Sequence, residues 1–329
     1  METTEPLITV ENLRVVFSRE RKRAFALRGI DIDLFKNEIH GLVGESGSGK
    51  TVTAMSIMGL LPKPSSKILS GSIRFEGNEL LRLSEEKLRA YRGRRIGMVF
   101  QEPSKFLNPA FTIGEQIRET LIFHLGLGSR EAKAIVHELI RQVGLGEDDR
   151  AFKAYPHELS SGMKQRAMIA MAISCKPEIL IADEPTTSLD VTLQKQILEL
   201  LKSLNNAHGM GVLLISHDLA VIEQIADCIS VIYAGKIVEN AVTEKLFKHP
   251  LHPYTRLLLN SIPRPAQRGK RLATISGQVL EPEDEPPGCV FAPRCPIAKS
   301  LCFERSPELL EHEKGHLGAC HFAGEPWNL

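Results

Sequence analysis

Apolar and polar residues alternate in short runs over the first 43 positions of the chain, and this alternation predicts β-strands. The runs occupy residues 8–10, 13–17, 30–34 and 39–43. A period of two places one face of a strand against a core and leaves the other face to water. The chain is therefore expected to begin with a region of strands.

Between about residues 85 and 175 the period changes to that of an amphipathic helix. A charged stretch at 129–133 leads into Ile135, Leu139 and Ile140. These three residues recur at roughly the 3.6-residue spacing of one helix face. We interpret the block as a helical subdomain inserted among the strands.

Continuously apolar segments return at residues 179–182 and 211–215, and a helical segment at 194–204 separates them. Such strands are typical of a parallel sheet covered on both faces, and the order strand, helix, strand is a parallel crossover. Two more strands are predicted at 230–233 and 235–238. The pattern indicates an α/β fold whose first domain spans residues 1–245.

The remaining residues, 246–329, have a different character and are predicted to form a second domain or appendage. Prolines punctuate this stretch, and four of the six cysteines of the chain lie within it. The chain shows no internal repeat, so we expect it to contain one copy of the main domain.

Composition limits the classes of partner. The chain has 329 residues, which fits about two domains, and its 41 Lys and Arg residues balance 40 Asp and Glu residues to a formal net charge of +1. The protein therefore has no strong overall electrostatic field that would attract nucleic acid or an anionic membrane. The first six residues do not resemble a secretory signal, and no apolar run approaches the roughly 18 residues of a membrane span. We expect a soluble, cytosolic protein.

A phosphate-binding motif follows the strand predicted at 39–43. Its pattern is G-x-x-x-x-G-K-[ST], and helix-like sequence begins at Val52. Backbone N–H groups and the helix N-terminus would face phosphate oxygens, Lys50 would charge-pair with the β- and γ-phosphates, and Thr51 would ligate Mg²⁺. The predicted nucleotide-binding residues are Gly44, Glu45, Ser46, Gly47, Ser48, Gly49, Lys50, Thr51 and Val52.

Two carboxylates follow the apolar strand predicted at 179–182. Asp183 and Glu184 would stand at the sheet edge where phosphates bind in parallel-sheet nucleotide sites. Asp183 would hold Mg²⁺ through water, and Glu184 could polarise the attacking water as a general base.

With further motifs in the same order, these residues resemble the ATP-binding subunits of ABC transporters over roughly residues 8–240. The resemblance implies a P-loop NTPase cassette with a parallel-sheet core, an antiparallel β subdomain and a helical subdomain, followed by a small Cys-rich C-terminal appendage. The matching residues are Phe17 for the A-loop aromatic that stacks on adenine, Gln101 for the Q-loop, Ser160, Ser161 and Gly162 for the signature, Ser188, Leu189 and Asp190 for the D-loop, and His217 for the switch histidine.

The resemblance also implies how these residues act on ATP. In this family two cassettes enclose two nucleotides, so Ser160 and Gly162 would face a γ-phosphate held by the partner cassette. His217 would contact the γ-phosphate and keep Glu184 and water in register. Gln101 would contact Mg²⁺ and transmit closure to a membrane partner. Because this chain has one cassette, the resemblance implies a dimer.

The signature departs from the usual Leu-Ser-Gly-Gly-Gln at Ser161 and Met163. Methionine at the last position is common among peptide importers, whereas Ser161 adds a side chain where the backbone approaches phosphate. We expect reduced but not abolished function at the nucleotide site that this signature serves, which belongs to the partner cassette.

Segments at 252–255, 288–289 and 293–296 resemble the C-terminal region of the ATPase subunits of dipeptide and oligopeptide importers, closest to the dipeptide-type D subunit. The tail cysteines have the spacing C-x5-C-x6-C-x17-C, without the C-x-x-C pair that dominates structural zinc sites. The resemblance implies a 4Fe–4S cluster. A Zn²⁺ site and four reduced cysteines remain alternatives, and His312, His316 and His321 are predicted to be surface residues. The cysteines are Cys289, Cys295, Cys302 and Cys320.

The function implied by both resemblances is ATP hydrolysis that powers a membrane importer, with di- or oligopeptides as cargo. The chain would lie peripherally at the cytoplasmic face of the cell membrane. Its partners would be a second, nonidentical cassette, two permease subunits and an extracytoplasmic substrate-binding protein. Importers of nickel, glutathione or antimicrobial peptides use the same type of ATPase and remain alternatives.

Two other classes of protein use the same cassette. Soluble ABC ATPases that act on nucleic acid have two cassettes in one chain or long heptad insertions, together with basic surfaces. This sequence has none of these features, so no nucleic-acid partner is expected. A regulatory module without turnover would be expected to lack Glu184 or His217, and both are present.

Overall fold

The computed structural model describes residues 5–19, 22–146, 149–187, 189–262 and 275–325. The strands are β1 (Ile8–Arg19), β2 (Lys22–Leu34), β3 (Ile39–Val43), β4 (Ser66–Phe75), β5 (Asn78–Glu79), β6 (Ile96–Val99), β7 (Ile179–Asp183), β8 (Gly211–Ser216), β9 (Cys228–Tyr233), β10 (Lys236–Val242), β11 (Leu310–Glu313) and β12 (His316–Gly318). The helices are α1 (Lys50–Ile57), α2 (Glu85–Arg89), α3 (Pro103–Phe106), α4 (Ile113–Leu125), α5 (Ser129–Gln142), α6 (Asp149–Lys153), α7 (Ser161–Ile173), α8 (Val191–His208), α9 (Leu219–Glu223), α10 (Thr243–Lys248), α11 (Pro253–Ser261) and α12 (Ser300–Glu304).

These elements divide between two compact units of the chain. The first unit comprises Met1–Leu34, His40–Leu81 and Ser216–Leu329, and the second comprises Phe35–Ile39 and Arg82–Ile215. The domain limits expected from the sequence, 1–245 and 246–329, stay predictions.

The first unit contains an antiparallel sheet in the order β2-β1-β4-β5. The two short runs predicted at residues 8–10 and 13–17 form one continuous strand, β1, whose pairing is interrupted between Val10 and Leu13. Asn12 has a φ of +43° there, a conformation that asparagine tolerates better than most residues. The sequence did not predict β4, because its serines, glycine and lysine obscure the alternation.

The same unit contains a second group of strands that carries the phosphate-binding motif. β3 lies parallel to β9, β9 lies antiparallel to β10, and the hairpin of β11 and β12 pairs with β10 through β12. Every residue of β3 is buried. The motif therefore begins at the carboxyl end of a strand covered on both faces, as its apolar sequence predicts.

In the second unit, β6, β7 and β8 form a parallel arrangement, and the described residues of all three are buried. The helical pattern of residues 129–142 is confirmed, because α5 buries Ala132, Val136, Leu139 and Ile140 on one face. The prediction of helix over about residues 85–175 was wrong at β6, because a run of four apolar residues fits a buried strand as well as a helix. None of the helices in the described ranges combines the length and hydrophobicity needed to cross a membrane.

Candidate functional site

The glycines of the phosphate-binding loop let its backbone approach the neighbouring strands. A Cβ on Gly44 would lie 2.1 Å from the carbonyl oxygen of Ile232, which is impossible without a backbone shift. Gly49, which caps α1, has a φ of +111°, and a Cβ there would lie 2.8 Å from the carbonyl oxygen of Ala26. The motif therefore requires glycine at both ends of the loop for reasons that are internal to the fold.

Polar groups of the loop are arranged to receive an anion. The Lys50 side chain is buried, and its ammonium donates hydrogen bonds to the carbonyl oxygens of Gly44 and Glu45 at 2.8 and 3.0 Å. The hydroxyl of Ser48 is buried without a hydrogen-bond partner among the described residues. Lys50 also begins α1, whose first turn holds no acidic residue. A lysine, a helix N-terminus and an unsatisfied hydroxyl make this loop suited to phosphate oxygens.

The rest of the predicted nucleotide residues of the first unit differ in exposure. Ser46, Gly47 and Thr51 are exposed, and Val52 is half-buried in the first turn of α1. Phe17 lies half-exposed on β1, where it pairs with Ala24 on β2 and Ser66 on β4. His217 is exposed and directly follows β8, before α9.

Two side chains from residues 246–325, which we call the C-terminal extension, contact the loop at Glu45. The hydroxyl of Tyr254 accepts a hydrogen bond from the Glu45 N–H at 3.0 Å. Arg294 donates to both carboxylate oxygens of Glu45, at 2.8 and 3.2 Å. Neither residue was predicted from the sequence, although Tyr254 and Arg294 lie in two of the three tail segments that carry the family resemblance.

In the second unit, Asp183 ends β7 as a buried carboxylate and Glu184 follows it. Glu184 has a φ of +46°, and its N–H donates to the carbonyl oxygen of Ile215 at 3.0 Å. The carboxylate of Glu184 accepts hydrogen bonds from Gln101 and Thr187, both at 2.9 Å. The structure thus brings together Gln101 and Glu184, two residues that are 83 positions apart, and adds Thr187, which the sequence analysis missed.

The signature and D-loop residues cap two helices of the second unit. Ser160 is the N-cap of α7, where its hydroxyl accepts the N–H of Met163 at 3.3 Å, and Ser161 is exposed in the first turn. Asp190 caps α8 by accepting two backbone N–H groups at 3.0 Å. Gly162 is buried, and a Cβ there would lie 3.2 Å from the side chain of Leu193 in α8. Ser188 lies outside the described residues.

The four tail cysteines line one cavity of the C-terminal extension. The N–H of Phe322 donates a hydrogen bond to the sulfur of Cys320 at 3.4 Å within it. Burial raises the pKa of Cys295 to about 11 and that of Cys320 to about 12. The thiols that share the cavity are Cys289, Cys295, Cys302 and Cys320.

The thiols can be compared with the metal groups expected from the sequence. Within the described ranges, no three His, Cys, Asp or Glu side chains are positioned to bind one metal ion. A 4Fe–4S cluster makes a different demand, because each thiolate meets a different iron and N–H groups bond to the sulfurs. Four thiols around one cavity are the type of donor that such a cluster uses, and one of the sulfurs accepts a backbone N–H.

The three tail histidines differ in burial and in their hydrogen bonds. His316, predicted to be a surface residue, is fully buried, and its Nε2 lies 2.8 Å from a carboxylate oxygen of the equally buried Glu239. The prediction was wrong because β12 pairs with β10, and this pairing covers the ring. His312 is exposed and His321 is half-buried at the edge of the cysteine cavity, and both hydrogen-bond to backbone carbonyls.

Family models match two parts of the chain: residues 27–187 match the ABC transporter family, and residues 238–302 match the oligopeptide/dipeptide transporter C-terminal region. The oligopeptide transport ATP-binding protein AppD of Bacillus subtilis (strain 168) is 47% identical over 95% of this chain and 96% of its own length. The dipeptide transport ATP-binding protein DppD of the same organism is 44% identical over 96% of this chain and 94% of its own.

Solved structures agree with these similarities. The ATP-binding cassette MJ0796, in a dimeric post-hydrolysis state bound to ADP and Pi, matches with a TM-score of 0.65 at 26% identity, over 72% of this chain and 98% of that one. The predicted cassette fold and ATPase family are confirmed. This chain belongs to the family of ABC transporter ATPases and carries the C-terminal region of the oligopeptide/dipeptide transporters.

Proposed function

We propose that this chain is the ATP-hydrolysing subunit of a membrane importer for di- or oligopeptides, bound peripherally at the cytoplasmic face of the cell membrane. The observation that carries the proposal is the similarity to AppD and DppD, which runs through both the cassette and the C-terminal extension. Both relatives are named as peptide-transport ATP-binding proteins. The partners would be two permease subunits, a substrate-binding protein and a second, nonidentical cassette.

The phosphate-binding loop, Gly44 to Val52, would bind the polyphosphate of ATP. Its support is the pair of hydrogen bonds from Lys50 to loop carbonyls, which the ammonium can exchange for bonds to phosphate oxygens, and the unpartnered hydroxyl of Ser48. Phe17 would stack on the adenine. Thr51, Asp183 and Gln101 would hold Mg²⁺, which neutralises phosphate charge when it is bound.

Glu184 would take the proton from the attacking water. The hydrogen bonds from Gln101 and Thr187 hold its carboxylate in one orientation, which is what a general base needs. His217 would contact the γ-phosphate and keep the water in register. The residues that would face the nucleotide of the partner cassette are Ser160, Ser161, Gly162 and Asp190.

Replacing Glu184 by Gln tests the base assignment. In the complete complex, with the partner cassette's own site inactivated, Glu184→Gln should reduce ATP turnover about 10²- to 10⁴-fold and leave ATP bound, because the amide cannot accept the proton. The measurements are phosphate release and the retained radiolabelled nucleotide. Glu199→Gln, on the exposed surface of α8, is the control and should keep the wild-type rate. A wild-type rate in Glu184→Gln contradicts the assignment.

We propose further that the four tail cysteines hold a 4Fe–4S cluster. The support is the shared cavity and the Phe322 N–H, which donates a hydrogen bond to the sulfur of Cys320. Bound there, the cluster would supply cross-links that order a short, proline-rich segment.

Anaerobic purification of the full chain tests this proposal. The protein should be brown and contain about four iron and four sulfide atoms per chain, because each thiolate binds one iron of the cluster. Cys302→Ser should lower the iron content, whereas Cys228→Ser, at a cysteine outside the cavity, should not. A colourless protein with stoichiometric zinc, or without metal, would refute the cluster.

A further inference from the structure

Glu45 is hydrogen-bonded through its N–H, its carbonyl oxygen and its carboxylate, and three of these five bonds involve the C-terminal extension. Its N–H donates to the hydroxyl of Tyr254, and its carboxylate accepts two hydrogen bonds from Arg294. Its carbonyl oxygen accepts from Lys50 and from the N–H of Ser48. Glu45 thus lies between the lysine of the phosphate-binding loop and two residues that follow more than 200 positions later.

The Arg294 guanidinium has little freedom to leave Glu45. The side chain is only 5% exposed, and it also donates to the hydroxyl of Tyr233 at 3.3 Å and to the carbonyl oxygens of Ile275 and Ser276. A planar guanidinium that bonds both oxygens of one carboxylate fixes direction as well as distance. Arg294 therefore determines where the Glu45 side chain lies.

Tyr254 is held just as firmly. Its ring is fully buried against Tyr233 and Phe291, with ring centroids 4.7 and 5.3 Å away. Burial lowers the pKa of His252 to about 3, so its neutral ring caps α11 by accepting the N–H of Tyr254 at 3.1 Å. The Tyr254 hydroxyl is consequently at a fixed point when it receives the N–H of Glu45.

The charge of Glu45 explains why such a support would be needed. A carboxylate in a loop that binds polyphosphate opposes binding, and in a partly buried site the repulsion is weakly screened. We propose that Arg294 and Tyr254 are positioning residues of the nucleotide site, which hold the loop through Glu45 and neutralise its charge for a nucleoside polyphosphate. This inference rests on the proposed nucleotide-binding function of the loop.

The same contacts connect the loop to the lining of the cysteine cavity, which makes the two sites candidates for coupling. Arg294 precedes Cys295, and Phe291, which lines the cavity, packs on both Tyr233 and Tyr254. Coupling between two sites is reciprocal in free energy. Nucleotide binding at the loop is therefore expected to protect the cavity, and disruption of Arg294 is expected to weaken that protection.

Equilibrium binding of a fluorescent MgADP analogue to the full chain tests the charge argument. Arg294→Met, which keeps an apolar stem, should raise the Kd about tenfold because Glu45 is left uncompensated. Glu45→Gln removes the repelling charge but also the paired bonds to Arg294, so it should raise the Kd less than Arg294→Met does. The double variant Glu45→Gln with Arg294→Met should return to within about threefold of wild type, since neither charge remains. Arg305→Met, at an exposed arginine of the same extension, is the control and should not change the Kd.

Two further measurements keep the test decisive if Arg294→Met folds poorly by circular dichroism. Tyr254→Phe removes only a hydroxyl and should raise the Kd a fewfold, whereas Arg294→Lys, which keeps the charge, should be weakened less than Arg294→Met. In the full wild-type chain as purified, MgADP should slow alkylation of the tail cysteines, and it should do so less in Tyr254→Phe.

The outcomes separate the inference from the proposed function. Any of three results would overturn the positioning role. The first is wild-type affinity for MgADP in both Arg294→Met and Tyr254→Phe. The others are a double variant that binds as weakly as Arg294→Met, and a loss of affinity in Arg305→Met equal to that in Arg294→Met. A wild-type chain that binds no MgADP would instead overturn the nucleotide function itself.

Discussion

At the scale of single residues, the phosphate-binding loop shows two different uses of glycine. Gly47 and Gly49 both have positive φ, at +78° and +111°. An added Cβ at Gly47 meets nothing within 4 Å, whereas one at Gly49 meets Leu27 and the carbonyl oxygen of Ala26 at under 3 Å. Gly47 is thus needed for its conformation, and Gly49 for both conformation and space.

This difference predicts unequal losses of stability. In the nucleotide-free chain, Gly47→Ala should lower the free energy of unfolding by about 1–3 kcal/mol through backbone strain. Gly49→Ala should cost about 1–3 kcal/mol more, because a backbone carbonyl cannot move aside as a flexible side chain can. Urea unfolding of the two variants measures the difference. Equal losses would show that the contact with Ala26 relaxes without cost.

Some of the candidate site residues could be predicted from the sequence and others could not. Lys50, Asp183 and Glu184 could be predicted because their residue types occur at short, fixed spacings. Tyr254 and Arg294 could not, since their contacts with Glu45 span 209 and 249 positions and nothing local indicates the partner. Thr187 follows Glu184 by three residues, and this spacing could have suggested its hydrogen bond.

At the scale of elements, the least predictable part is the β11–β12 hairpin. Its strands are short, and β11 is exposed along its length. The hairpin is attached to β10 through backbone pairing and through His316, whose ring contacts Glu239. Glu239 also accepts the N–H groups of Leu251 and His252, so one buried carboxylate connects β10, β12 and the start of α11.

Replacing His316 should therefore weaken the attachment of the hairpin. His316→Ala leaves Glu239 buried with one partner fewer and is expected to lower the free energy of unfolding by about 3 kcal/mol. Amide hydrogen exchange in β12 should accelerate with it. His312→Ala is the matched control on an exposed ring of the same hairpin and should cost less than about 1 kcal/mol. Similar losses in both variants would contradict a special role of the buried pair.

At the scale of the whole molecule, the proposed mechanism requires a second cassette. The signature of this chain would act on the nucleotide of that partner, so its departure at Ser161 matters for the partner's turnover. Ser161 is exposed in the first turn of α7, directly after the capping residue Ser160. A substitution there can alter the approach to phosphate without disturbing the core.

A complex whose own site is silenced by Glu184→Gln isolates this effect. In that background the remaining ATP turnover comes from the partner's site. Adding Ser161→Gly should raise the rate severalfold, because glycine lets the helix N-terminus approach the phosphate more closely. Ser160→Ala should lower it. An unchanged rate for Ser161→Gly would show that the serine is accommodated, and stimulation of the complex by nucleic acid would favour the soluble class of ABC ATPase.

The sequence by itself determined the family, the α/β class and the phosphate-binding motif, because such motifs are short and their chemistry is local. Periodicity also determined β3, β7, β8 and α5. Only the tertiary structure decided that β6 is a strand, that His316 is buried on Glu239, and that Arg294 and Tyr254 hold Glu45. These facts depend on which distant segments pack together, and burial by a distant segment leaves no local pattern in the chain.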